Sequence, residues 1–207
     1  QTTVIEIIIE ELNTHDIKLL ICDAGTGIPE DVLAKDEDNI FNLGYVPHNQ
    51  GVMNEHGFGL KNALALLTSG FEKNFLLLTK PRGVSDILGV EGPISDEMEM
   101  ANYKETDWKD GLIQLRSVES GTKISVEVKR EYFNSIYGRG QSFETLVMRL
   151  GEHLGVMYNQ YINEGNEIYF HYKSKAATDF TKKTIPAIPV PFLKSPTITI
   201  MTNTIEV

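Results

Sequence analysis

Three glycine-bearing stretches hold the residues whose types and spacing point to chemistry. In "DAGTGIPEDVL", residues 23–33, Asp23 closes the apolar run "IKLLIC", and Gly25 and Gly27 follow at alternate positions. A carboxylate at the end of a buried strand is costly unless its charge is hydrogen-bonded. Most Asp-x-Gly turns meet that need by capping their own backbone. The sharper use is a carboxylate that waits for a ligand donor such as an amine. Gly25 and Gly27 then let the backbone pass close to a flat ring.

The second stretch is "HGFGLKNALALL", in which His56, Gly57, Phe58, Gly59, Leu60 and Lys61 lead into a helical pattern. Backbone N–H groups at a helix N-terminus point at an anion, and the helix dipole favours negative charge there. Lys61 adds a cation in the first turn. A tight turn before a helix is the plainer alternative, and the Gly-x4-Gly-Lys-Ser/Thr order of a Walker loop is absent. In the third stretch, "SGTKISVEV", Gly121 and Thr122 open a strand. The Thr122 hydroxyl is placed to bond a carboxylate, a water or a ring edge, or it simply starts the strand.

The elements that must position these residues follow from periodicity. "TVIEIIIEEL" is β-branched with Ile5, Ile7 and Ile9 on one face, and "IKLLIC" follows after the polar break "NTHD", so the pair predicts an antiparallel hairpin. Pro29, Glu30 and Asp31 suggest a short helix start. Residues 34–56, with "YVPHNQGVMNEHG", have turn residues and no period, and predict a mobile loop. Leu60, Ala63, Leu64 and Leu67 fall at helical spacing, with Gly70 as a C-terminal cap. Residues 74–79, 111–118 and 121–128 predict strands. A helix is expected from 143 to 161, with Phe143, Leu146, Val147, Leu150, Leu154, Met157 and Tyr161 on one stripe. Beyond Gly165 the chain turns β-like with prolines, and a domain boundary is placed near 165.

Composition bounds the function. At 207 residues, 41% hydrophobic and 23% charged, the chain has a globular composition and length enough for a sizeable core. No apolar run approaches the roughly 20 residues of a membrane helix, and no signal peptide is visible. The single cysteine, Cys22, lies in an apolar run, which excludes an internal disulfide and fits a reducing compartment. The expected location is cytoplasmic, or nuclear in a eukaryote. A formal charge of −10 disfavours a general nucleic-acid coat. Half of it comes from residues 81–110, read as a solvated loop.

The order Asp-x-Gly-x-Gly-Ile, a lid-like loop, Gly-x-Gly-Leu-Lys at a helix start and Gly-Thr on a strand resembles the GHKL ATPase superfamily with its Bergerat fold. The segment "LGEHLGVMYNQYINEGNEIYFHY" is similar to microrchidia-like and heat-shock-chaperone-like members, and the likeness runs from residue 1 to about 172. It implies an α/β (α+β) sandwich, a mixed and largely antiparallel sheet covered on one face by helices. Residues 1–165 would be the ATP-binding domain and 166–207 the start of a transducer-like β segment.

By the same resemblance Asp23 would accept the adenine amino group, with Gly25, Gly27 and Ile28 at the base and Thr122 completing the pocket. Residues 29–56 would form the lid, and the run from His56 through Gly57, Phe58, Gly59 and Leu60 to Lys61 would hold the phosphates. ATP and Mg²⁺ are the implied cofactors, ATP-driven homodimerisation the implied mechanism, and DNA or a protein the implied client. The family takes its catalytic Glu and magnesium-binding Asn from an upstream Glu-x-x-x-Asn helix. That spacing is missing from residues 1–22, where Ile9 stands four before Asn13. The expectation is that this helix precedes Gln1 and that the chain alone is inactive. A nucleotide-binding switch without hydrolysis and a histidine-kinase catalytic domain are the alternatives.

Overall fold

The computed structural model describes residues 3–33, 40–41, 59–68, 75–92, 100–103 and 113–189, and the statements below concern these. The β-branched start forms β1, Val4–Glu11, and β2, Asp16–Asp23, returns antiparallel with Ile7 opposite Ile21 and Ile9 opposite Leu19. Asn13 closes the hairpin: its Oδ1 accepts the N–H groups of His15 at 2.7 Å and Asp16 at 3.0 Å, as Asx turns do. Pro29 does not open an α-helix. It precedes a single 3-10 turn, Glu30–Val32, at the cap position with ψ of 153°.

The remaining elements, in order, are α1 (Gly59–Leu67), β3 (Phe75–Lys80), β4 (Ile87–Glu91), β5 (Met100–Tyr103) and β6 (Gly121–Lys129). Then come α2 (Arg130–Tyr137), α3 (Phe143–Met157), α4 (Asn159–Asn163), β7 (Glu167–Lys173) and β8 (Thr181–Thr184). The strands form one mixed sheet in the order β5-β4-β3-β6-β2-β1-β7-β8. Neighbours run antiparallel except β1 and β7, which are parallel.

Strand alternation sends side chains to two faces, and the helices cover one of them. Leu64 of α1 packs with Phe75, Leu77 and Val126, while Phe143, Leu146 and Val147 of α3 pack with Ile7, Ile9, Ile17 and Phe170. Leu19 and Phe133 touch both clusters, which joins them into one layer. The other face carries no helix. Leu115 packs there on Leu78 and Ile87, and Phe180 on Ile8 and Leu20. The same face buries Glu6, whose carboxylate lies 3.0 Å from His171 Nε2 and accepts the Ile113 N–H at 3.0 Å. Burial holds the His171 pKa below its usual value, against the opposing pull of Glu6. Among the described residues no helix is long and apolar enough to cross a membrane.

Several sequence expectations are corrected. Residues 113–118 are turns and not a strand, with the N–H groups of Ser117 and Val118 both bonded to Gln114 O. Ile113 and Leu115 are buried, so their alternation imitates a strand, but β6 is already paired on both edges by β2 and β3. The acidic stretch 81–110 is not all solvated loop: β4 and β5 lie within it, and Ile87, Leu88 and Val90 are buried. Net charge averages over such a short apolar strand and hides it. The helix expected over 143–161 breaks at Tyr158, where φ is −106° and ψ is 21°. The apolar stripe survives the break because Tyr161 and Ile162 pack on the same core. Finally, 167–184 does not start a separate layer. β7 pairs with β1 along Val4–Glu10, so this part of the expected second domain belongs to the first sheet. Residues 190–207 lie outside the described residues.

Candidate functional site

Asp23 is the last residue of β2, and its register partner on β6 is Thr122, which in turn faces Thr79 on β3. Alternation places all three on the helix-covered face, in line with Ile21, Leu19 and Ile17. Among the described residues the helix layer covers this end of the sheet only in part. Ile21 is 40% exposed, although its β1 partner Ile7 is 9% exposed. A bare apolar strip therefore leads up to the carboxylate.

Asp23 Oδ1 accepts the Gly25 N–H at 2.8 Å, and Oδ2 has no partner among the described residues. Burial pushes the carboxyl pKa above its ordinary value, and the Gly25 bond pulls it back. The Tyr161 hydroxyl is itself raised by burial and by the Asp23 charge, which places that ring near the acid. The plainer use of the Asp-x-Gly turn is therefore present, with one oxygen capping the backbone.

The glycines have a packing role of their own. Gly27 has φ of +72°, and a Cβ there would come within 2.7 Å of the Lys80 carbonyl carbon. A Cβ on Gly25 would sit 2.7 Å from Asp23 Oδ1, and one on Gly121 would land on the Asp23 carbonyl oxygen. At Gly27 and Gly121 the backbone at the ends of β2, β3 and β6 is therefore packed too closely for side chains, whether or not a ring approaches, whereas at Gly25 only the Asp23 carboxylate would have to move.

Two hydroxyls that sequence reasoning passed over hold the loop. Thr79 Oγ1 accepts the Ile28 N–H at 2.7 Å and donates to Gly121 O at 3.1 Å. Ser120 Oγ donates to Gly25 O at 2.6 Å. Thr79 is fully buried and lies 51 residues from Ile28, so no local spacing signals the contact.

The second motif is brought alongside in part. Gly59 is the first residue of α1, and a Cβ there would meet nothing within 4 Å. Leu60 packs in the same cluster as Ile28, which ties the two motifs to one core. Lys61 lies in the first turn of α1, and its side chain, like residues His56, Gly57 and Phe58, lies outside the described residues. Of the expected lid, 34–39 and 42–56 are also outside them. Of its described parts, Pro29, Glu30 and Asp31 are exposed, whereas Leu33 and Phe41 are buried, and Phe41 meets the Phe75 ring at 5.6 Å.

The arrangement offers a carboxylate acceptor beside an apolar floor, suited to a flat ring that bears an amino group. Among the described residues no group of three or more His, Cys, Asp or Glu could hold a metal ion. A cavity of about 340 Å³ lies at the opposite end of β2 and β6, against His15, Lys129 and Arg130, away from Asp23.

No protein-family model matches the chain, and no curated protein matches it. Among solved structures it is similar to a chain described as the N-terminal domain of a DNA repair protein, at 13% identity and a TM-score of 0.48. That match covers 89% of this chain and 46% of the other, so the chain spans under half of the solved one.

Proposed function

We propose that this chain is the nucleotide-binding part of a GHKL-type ATPase, in which ATP closes the lid at 29–56 and drives dimerisation of the longer protein. The observation that carries the reading is Asp23: a half-buried carboxylate at a strand end, with one oxygen bonded to Gly25 and the other without a partner among the described residues. Adenine presents its 6-amino group as a donor to this acid, whereas guanine has a carbonyl at that position and would have to turn its N1–H and 2-amino edge to the acid instead. Ile21 and Ile28 supply apolar surface for the ring, and Thr122, opposite Asp23, supplies a hydroxyl at its edge. The start of α1 at Gly59 suits the phosphates, whose charge a helix N-terminus favours. ATP brings a transferable phosphoryl group. What these residues do is bind and orient it, and no described side chain is placed to activate a water. The Glu-x-x-x-Asn spacing is missing from residues 1–22, so the chain alone is expected to bind ATP without turning it over.

Calorimetric titration with ATP and GTP tests this. Wild type should bind ATP in preference to GTP, and Asp23→Asn should lose about 1.5–3 kcal/mol, roughly 10- to 150-fold in affinity. Unchanged ATP affinity in a folded Asp23→Asn variant would rule out the adenine assignment.

A further inference from the structure

The helix-covered face of β3 reads Phe75, Leu77 and Thr79, all of them buried. The first two are what such a face calls for. The third places a hydroxyl where valine would fill the same space, and a buried hydroxyl is costly unless it is hydrogen-bonded. Thr79 satisfies that need in both directions. Its Oγ1 accepts the Ile28 N–H at 2.7 Å and donates its own proton to Gly121 O at 3.1 Å. The two partners lie 51 and 42 residues away in sequence, and β-branching restricts the rotamers from which one oxygen can reach both.

Both bonds end beside groups that the nucleotide reading uses. Gly121 precedes Thr122, which stands opposite Asp23 on one side and opposite Thr79 itself on the other. Ile28 follows Gly27, whose backbone passes too close to Lys80, the residue after Thr79, for a Cβ to fit. Ser120 adds a tie from its Oγ to Gly25 O at 2.6 Å, which joins the loop after β2 to the turn before β6. Thr79 does more than Ser120, because its hydroxyl joins β3 to that loop and to the start of β6 at one point.

We propose that Thr79 is a positioning residue of the base site, which sets Ile28 and Thr122 relative to Asp23 before any ligand arrives. It acts through the Ile28 amide and the Gly121 carbonyl and does not touch the base. The proposal rests on the adenine-nucleotide reading above. A ring held by Asp23 needs Ile28 against its face and Thr122 at its edge at the same time. A hydroxyl bonded to both segments fixes that gap in advance, so binding does not have to order the loop. Without the hydroxyl, the Ile28 N–H and Gly121 O lose their shared partner, the loop moves to find water, and the gap is no longer set.

The test is calorimetric titration of the full chain with ATP and with GTP, for wild type, Thr79→Val and Thr79→Ser. Valine keeps the volume and removes both bonds, whereas serine keeps the hydroxyl. Thr79→Val should weaken ATP binding about tenfold and reduce the preference for ATP over GTP, and Thr79→Ser should restore both. Val128→Ala, which removes buried methyl groups at the far end of β6, controls for stability alone and should leave the ATP-to-GTP ratio unchanged. Amide exchange by NMR should show the Ile28 N–H protected in wild type before nucleotide is added. Protection that arises only with ATP would overturn the proposal, even if Thr79→Val fails to fold. Three other results would do the same: wild-type affinity and selectivity in a folded Thr79→Val, equal losses in Thr79→Ser and Thr79→Val, or an equal change of ratio in Val128→Ala. Absence of ATP binding by wild type would overturn the nucleotide reading itself and this proposal with it.

Discussion

Replacing Gly27 by alanine separates the packing role of the glycine loop from any ligand role. A side chain at φ of +72° enters the left-handed region, at about 1–2 kcal/mol. Its Cβ also comes within 2.7 Å of the Lys80 carbonyl carbon and 2.9 Å of Pro81 Cα. These are backbone atoms of β3 and the turn after it, and moving them adds about 1 kcal/mol or more. The shift draws the Ile28 N–H away from Thr79 Oγ1, a 2.7 Å bond worth about 1 kcal/mol. The expected total is about 3–4 kcal/mol, which for a chain of this size lowers Tm by roughly 6–16 °C. Gly25→Ala is the control, because its Cβ meets the movable Asp23 carboxylate and not backbone. It should lose about 1 kcal/mol or less. Urea denaturation of both variants without nucleotide decides the matter. A Gly27→Ala loss no larger than that of Gly25→Ala would refute the close packing of the loop after β2 on the end of β3.

Gly59→Ala should act in the opposite direction on stability: with nothing within 4 Å of its Cβ and a helical backbone, it should gain about 0.4–1 kcal/mol. Under the proposed function it should also reduce ATP affinity more than adenosine affinity, and equal changes for the two ligands would remove the helix start from the phosphate site. Asp23 predicts a pH signature. Its folded pKa is raised by burial above 3.8, so the folded state holds the proton more tightly and this residue's contribution to stability falls as pH rises from 3.8 through the folded pKa. The stability of Asp23→Asn relative to wild type should therefore increase with pH across that window and level off above it. Denaturation midpoints from pH 3.5 to 7 check this, and a flat or falling difference would show that the carboxyl is not desolvated.

Local chemistry determined much of what the sequence alone could say. The hairpin of β1 and β2 was legible because β-branched alternation and an Asn-closed polar break are both short-range signals. The helical stripe that begins at Phe143 was legible for the same reason, and Ser142 caps it by accepting the Thr145 N–H at 3.1 Å. Asp23, Gly25 and Gly27 stood out because an acid and two glycines at a strand end break the pattern around them. Tertiary structure decided what depends on partners distant in sequence. "ILGV" became β4 inside an acidic stretch because β3 supplied its partner and a buried face. "GLIQLRSV", with an equally good strand pattern, yielded turns over its described residues because both edges of β6 were occupied. Gly27 proved necessary for the passage of backbone over Lys80, and Thr79 was joined to Ile28 across 51 residues. Periodicity reports which side of an element is apolar, whereas strand order and close backbone approach depend on which edges remain free when the chain collapses, and no single segment carries that information.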